Sequence, residues 1–526
     1  MAPWDMEGLA MVDREARRRG GREARRSERT RPLADAIRPV WPGLEGGRYR
    51  PLSDADIPKI HCAALDVLEQ VGFADAIPSC VEMTKAKGAF VNEHGRLCFP
   101  RALVEDTIAK AARHFPIHGQ DPKHDMEPYG KRVYFGTAGA AVHIVDARTG
   151  SYRESTLDDL YAIARVVDSL DHIHFFQRSI IARDMTDPRD LDLNTCYAAV
   201  RGTSKHVGTS FTEPEHVQEA LAMLHMIAGS EEKWRERPFV SMSSCFVVPP
   251  MKFATDACRC LEAGVRGGMP VLLLAAGQAG ATSPASLVGA VVQEVAEVLG
   301  GLVYVNCIKP CAPAIFGPWP FVSDLRTGAM SGGSGEQALL MAAGAQMAHY
   351  YDLTGGVCAG MTDSKVADAQ AGYEKGYNYA LVGNAGANLI YEAAGMHASL
   401  LGFCLESLVI DNDAIGATLR TLRGLEIDDE ALSVDVIRSA CIDGPGHFLG
   451  SEQTLGLMQS AYVYPTVGDR TSPKEWEELG STDVLQKAIA KTEEILAAHH
   501  PQHIAPDLDR AIRDRFPISL PAPGAG

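Results

Sequence analysis

The chain has 526 residues, of which 46% are hydrophobic, 22% charged and 7% aromatic, a globular composition with ample apolar material for a large core. Its net charge of −17 excludes a general affinity for nucleic acid or anionic membrane. The longest apolar candidate for a membrane span, 285–306, is interrupted by Gln293, Glu294 and Glu297, and the opening MAPWDMEGLA has no basic-then-apolar leader, so a cytoplasmic protein is expected.

Residues 1–35 carry nine Arg against seven Asp/Glu and read as a disordered basic arm, a solvated tail more than a docking element. Residues 36–170 read as an α+β extension. A capping box at Ser53 and Asp56 precedes Ile57, Ile60, Ala64, Leu65 and Leu68 at helical spacing. A hairpin over 88–100 turns at His94–Gly95, and a second strand pair over 131–155 turns at 148–150. Beyond this the pattern changes. Eight short apolar or β-branched runs follow: 172–181, 206–212, 239–248, 270–277, 302–308, 349–358, 388–395 and 408–413. Amphipathic stretches such as 214–228 and 284–299 separate most of them. Eight β-then-α units are what a TIM (β/α)8 barrel requires, so the expected class is α/β, with the barrel over 171–413. The remainder, 414–526, reads as a helical C-terminal extension.

Twelve scattered cysteines without a CxxC pair read as reduced, mostly buried thiols, and no metal site is expected. Zinc held by distant residues stays open as an alternative, with Cys245, Cys307, Cys311 or Cys358 as ligands. The chain has no GxGxxG after its first strand, no P-loop, no GxSxG and no HExxH.

A TIM barrel carries its site at the C-terminal strand ends. Those ends offer Arg178, Arg183, Ser210, Thr212, Ser244, Cys245, Gln278, Asn306, Lys309, Cys358, Glu392, His397, Asp411 and Asp413. The densest polar loop, 355–374, holds Asp363, Lys365, Asp368, Gln370 and Glu374 and is expected behind the sixth strand. Aromatic residues on or beside strands, among them Tyr134, Phe135, Phe211, Phe246, Trp319 and Tyr350, could together cage a methylammonium cation.

Several segments carry a family resemblance: LSDADIPKIHCAALDVLEQVGF, GATSPASLVGAVVQEVAEVLGGLVYVN (280–306), GMTDSKVADAQAGYEKGYNYALVGNAGANLIYEAAGM (360–396) and GPGHFLGSEQT (444–454). Over roughly 38–480 the chain resembles the trimethylamine methyltransferase (MttB-like) family of corrinoid-dependent methyltransferases. The resemblance implies methyl transfer from a methylated or quaternary amine to the Co(I) corrinoid of a separate carrier protein. No corrinoid (cobalamin) would then be bound by this chain itself. The pyrrolysine of the trimethylamine enzymes falls near Gly360–Met361, where this chain has ordinary residues, which points to the branch without it. Gly360, Met361, Asp363 and Gln370 are then the candidate catalytic residues. A bulky residue at 360 or 361 should block transfer and leave the fold intact. Tyr134, Phe135, Phe211 and Phe246 would bind the amine, Arg178, Arg183 or Lys309 a substrate carboxylate, and His349 with Tyr350 would position it. A homo-oligomer is compatible with this reading. The alternatives are a zinc-dependent methyltransferase on a similar barrel and a non-catalytic amine-binding barrel.

Overall fold

The computed structural model describes residues 50–522 apart from 426, 445, 450 and 458–460, so the arm at 1–35 lies outside the described residues. Eight short parallel strands follow one another around a ring: β1 (Tyr134–Phe135), β2 (Phe175–Gln177), β3 (His206–Thr209), β4 (Val240–Ser244), β5 (Val271–Ala275), β6 (Ala314–Pro318), β7 (Gly356–Cys358) and β8 (Leu389–Tyr391). Strands β2 to β6 pair in sequence, and β7, β8 and β1 form a second parallel run. Parallel bridges Phe316↔Gly355 and Gly136↔Phe175 join the two runs at both seams. The architecture is a TIM barrel.

Helices α1 (Ile57–Asp66), α2 (Pro78–Lys85) and α3 (Arg101–Lys110) precede the ring. Each barrel strand is then followed by a helix: α4 (Leu157–Ser169), α5 (Pro188–Gly202), α6 (Pro214–Ala228), α7 (Thr255–Arg266), α8 (Leu287–Ile308), α9 (Gly335–Tyr350), α10 (Ala369–Asn384) and α11 (Ser407–Arg423). Local chemistry sets their ends. Thr156 and Asp159 form a reciprocal capping box at α4. Pro188 and Pro214 open α5 and α6, and Gly229 closes α6 at φ 92°. The tail returns along the outside as α12 (Val484–Ala498), packed on α4 and α11.

Several sequence readings need correction. Residues 302–308 are the last turns of α8, not a strand. A Cβ at Gly300 would sit 2.4 Å from the Phe73 ring and one at Gly301 2.5 Å from the Phe246 ring, so the two glycines admit those rings against an unbroken helix. The true β6 is Ala314–Pro318, a run hidden between prolines. Residues 408–413 lie in α11 and not in a strand, and 349–358 splits into the end of α9 and β7. Tyr134–Phe135, assigned to the lead-in, supplies β1, so the ring begins before residue 171 and 355–374 follows the seventh strand. The Ser53–Asp56 box is absent as well: Asp56 precedes α1 without capping it, and its carboxylate instead accepts from the Ser53 hydroxyl (2.5 Å).

Helix α8 is long and apolar enough to cross a membrane, yet 83% of its most apolar stretch is buried among α1, α3 and the strands. It buries two carboxyls completely. Glu294 accepts the Gly277 N–H (2.7 Å) behind β5, and Glu297 accepts the Met251 N–H (2.7 Å) behind β4. Burial and mutual repulsion push Glu294 well up, and burial pushes Glu297 to about 7. A carboxyl raised in the folded state stabilises below its unfolded value and loses that contribution as pH rises through its folded one. This pair should therefore cost stability between pH about 4.5 and about 7. Glu294→Gln keeps an acceptor for Gly277. It should raise the melting temperature at pH 8 and flatten its slope from pH 5 to 8. A variant with the parental pH slope would show that the pair is not the source.

Candidate functional site

The C-terminal strand ends enclose a cavity of ≈ 400 Å³. Ala138–Ala140 line it after β1, Gln177 and Arg178 at the end of β2, Ser210 and Phe211 after β3, and Ser243–Cys245 at the end of β4. Leu274, Trp319, Phe321 and Glu392 complete the wall from β5, β6 and β8. Gln177 folds against the β3 backbone only because residue 208 is glycine, where a Cβ would sit 1.5 Å from its amide oxygen.

Two ionisable groups enter this space without a full set of partners. The Arg178 backbone is fixed by its N–H to the Gly208 carbonyl (2.9 Å), while its buried Nε has no hydrogen-bond partner. Burial pulls its pKa down, Cys245 and Asp192 acting in the opposite sense, and a guanidinium stays charged throughout. Glu392 leaves β8 at φ 55°, in the left-handed region, and is buried with one carboxyl oxygen unpartnered. Burial pushes it up to about 8. Cys245 opens onto the cavity and is otherwise enclosed by protein. Burial lifts its thiol to about 11, with Arg178 pulling it down. Trp319 is held by its indole N–H to the Gly356 carbonyl (2.8 Å) and lies tilted beside the Tyr391 ring (5.6 Å between centroids).

Of the residues given a substrate-binding role from sequence, Arg178 and Phe211 line this cavity, and of the strand-end and aromatic candidates Ser210, Ser244, Cys245, Trp319 and Glu392 line it too. Phe246 is buried beside Phe253 against α8, outside it. Phe135 packs outward on Tyr379 (6.0 Å), and the Tyr134 hydroxyl accepts the Glu127 N–H (3.2 Å). Lys309 is the C-cap of α8, not a strand end, and His349 and Tyr350 end α9. Helices run antiparallel to their strands, so all three lie at the barrel end opposite the cavity. His349 bonds the Gly386 carbonyl there (2.9 Å). The four cysteines considered for zinc divide the same way: Cys245 and Cys358 adjoin Glu392, whereas Cys307 belongs to α8 and Cys311 contacts Lys110. Among the described residues, no three His, Cys, Asp or Glu side chains converge on a metal-sized site.

The loop behind β7 is packed rather than open. Asp363 accepts from the hydroxyls of Ser331 (2.9 Å) and Ser399 (2.7 Å), and Gln370 donates to Glu374 (2.8 Å). Met361 is buried, and Gly360 has φ 115°. A Cβ at 360 would meet Tyr379 at 2.4 Å and the Ala393 carbonyl at 2.8 Å. The expectation that a bulky residue leaves the fold intact is therefore corrected. Gly360→Ala should already cost about 2–4 kcal/mol in a denaturant melt, from backbone strain and overpacking together. A loss below about 1 kcal/mol would show that the loop relaxes away.

Sequence reasoning passed over Phe321, because the run at 302–308 took the place of β6. The signal was present in CAPAIFGPWPF, a short apolar stretch bounded by proline.

A family model described as "Trimethylamine methyltransferase (MTTB)" matches residues 18–516. Trimethylamine methyltransferase MttB of Desulfitobacterium hafniense (strain DSM 10664 / DCB-2) is 31% identical over 471 residues, covering 89% of this chain and 94% of that protein. Glycine betaine methyltransferase of Desulfitobacterium hafniense (strain Y51) is 27% identical over 472 residues, covering 89% and 96%. Among solved structures, the Methanosarcina barkeri monomethylamine methyltransferase superposes with a TM-score of 0.50 at 12% identity, over 86% of this chain and 90% of that one, a likeness of fold. On the extent of the family match and of the 31% identical relative, the chain belongs to the trimethylamine methyltransferase family.

Proposed function

We propose that the protein transfers a methyl group from a betaine-like methylated amine to the Co(I) corrinoid of a separate carrier protein. The observation that carries this reading is the pairing, in one cavity, of an Arg178 Nε without a partner and a Glu392 oxygen without a partner. A substrate bearing both a carboxylate and a methylated ammonium matches that pair. Arg178 would take the carboxylate, and the faces of Phe211, Trp319 and Phe321 would hold the cation near Glu392. The similarity to trimethylamine and glycine betaine methyltransferases supports a methylated amine as donor.

The corrinoid is the methyl acceptor and supplies the nucleophile. The methyl leaves without its bonding electrons, and the C–N pair stays on nitrogen. A quaternary ammonium therefore departs as a neutral tertiary amine, with no proton to be moved. What remains for this chain is to bind, to orient the methyl toward the open end of the barrel, and to exclude water. The test mixes the protein with a Co(I) carrier and follows methyl-Co(III) by absorbance. Transfer from glycine betaine, carnitine or proline betaine in preference to trimethylamine is the expected result. No transfer from any of the four would overturn the proposal.

The pH dependence has a definite sign. With the Glu392 carboxyl raised to about 8 in the free protein, it is mostly protonated at neutral pH. A bound cation favours its ionised form, so binding releases a proton and tightens as pH rises toward about 8, then levels off. KM for the quaternary amine should fall accordingly in the parent and stay flat in Glu392→Gln. A parental KM that is itself flat from pH 6 to 9 would place the cation away from Glu392.

A further inference from the structure

The stretch 425–464 is unlike the rest of the surface. It supplies twelve of the twenty-five exposed large apolar side chains among the described residues. Leu425, Ile427 and Leu449 are 79–86% exposed, with Val434, Ile442 and Leu455 also in solvent. Soluble chains rarely leave so many apolar groups uncovered unless something docks on them. The excursion is tied to itself by Gln453 Nε2 to Ser433 Oγ (2.7 Å) and to the barrel by Arg420 Nε to the Ala461 carbonyl (2.7 Å). It is also acidic: from 424 to 464 seven Asp/Glu stand against the single Arg438.

Its place in the fold limits what can cover it. It leaves the end of α11, where Thr421 Oγ1 meets Asn384 Nδ2 at 3.4 Å, at the barrel end opposite the cavity. A carrier protein delivering a methyl acceptor to the cavity would approach the other end. A second copy using the same surface would oppose two acidic patches of net −6. A nearer candidate starts beside it. Arg50, the first described residue, lines a groove with His349, Asn384 and Ala385, so the preceding chain enters at this same end. Between residues 14 and 31 that chain carries nine Arg against three Glu, a net +6, and Leu33, Ile37, Val40, Trp41 and Leu44 follow. The nineteen residues from 31 to 50 can span about 60 Å when extended, ample for the distance.

We propose that the apolar, acidic excursion 425–464 is the docking surface of the same chain's N-terminal arm, residues 1–49. The arm's arginines pair with the acidic residues of the excursion, and its apolar segment at 33–44 covers the exposed leucines and isoleucines.

The test is amide hydrogen exchange on the full-length protein, read over 425–457 at low and high salt, beside mass measurement in solution. A full-length variant with Arg17, Arg18, Arg19, Arg22, Arg25 and Arg26 all changed to Glu serves as the comparison, its thermal melt confirming an intact barrel. The proposal expects at least tenfold slower exchange in the parent than in that variant. It expects the protection to weaken at high salt and to be independent of protein concentration. Changing Asp428, Asp429 and Glu430 to Lys in the reversed variant should restore it. Equal exchange in parent and variant would overturn the proposal. So would protection that follows protein concentration with a doubled mass, which assigns the surface to a second copy, or protection that arises only when a corrinoid carrier is added. The salt series on the parent needs no variant, so the outcome stands even if the reversed arm impairs folding.

Discussion

Arg178→Leu is expected to lower kcat/KM for a betaine by about 100- to 1,000-fold, because a charge-assisted pair lost from an enclosed site costs about 3–4 kcal/mol. Its guanidinium has an unpartnered Nε, and its backbone is pinned to β3 at the cavity wall. Arg178→Lys should recover part of the loss, since a lysine restores charge but not the planar fork. The effect should be specific. Trimethylamine, which has no carboxylate, should lose far less. The assay is the initial rate of corrinoid methylation with each amine. Equal losses for the two substrates would mean that Arg178 shapes the cavity and does not recognise a carboxylate.

The largest stability effect is expected at Lys375. Its ammonium lies 2.6 Å from Asp411, and both side chains are 4% exposed. Asp411 also accepts the Gly395 N–H (2.8 Å), holding the loop that follows Glu392. Lys375→Met leaves a buried carboxylate uncompensated, at a cost of about 3–5 kcal/mol. The double variant Lys375→Met, Asp411→Leu should regain much of this, because removing both charges removes the desolvation penalty too. Urea titration measures both. If the single variant loses less than about 1 kcal/mol, water reaches the pair and the loop is held by other bonds.

The barrel was legible in the sequence because most of its units keep a β-branched run ahead of an amphipathic helix. Helix α6 is a clear case, with the spacing of Val217, Ala220, Leu221 and Leu224 and a proline at its start. The errors share one physical origin. Barrel strands here are two to five residues long, too short for a period to show, and a buried helix such as α8 has apolar residues on every side, its last turns among them. The run 302–308 therefore looked like a barrel strand, Ala314–Pro318 did not, and Tyr134–Phe135 was read as a lead-in strand and not as part of the ring. Site legibility followed the same line. Arg178 and Glu392 stood at the ends of strands that were recognised, and both border the cavity. Lys309 was attached to a strand that does not exist. His349 and Tyr350 were separated from the cavity by the full length of a helix, which no residue count along the chain can reveal.

The pairing of β8 with β1 matches Leu389 to Tyr134. The first strand of the ring thus waits for a partner about 250 residues downstream. During synthesis at about 5–20 residues per second that wait is on the order of 10–50 s. Through that interval the β1 edge and the inner faces of the early strands have no seam to close against. Contacts of such high sequence separation slow folding and lengthen the exposure of unpaired edges. The helices laid down first, α1 and α3, pack on α8, which itself appears only after β5. The lead-in and the ring are therefore interlocked in time as well as in space, and the nascent chain's need for protection from aggregation is greatest before Leu389 has left the ribosome.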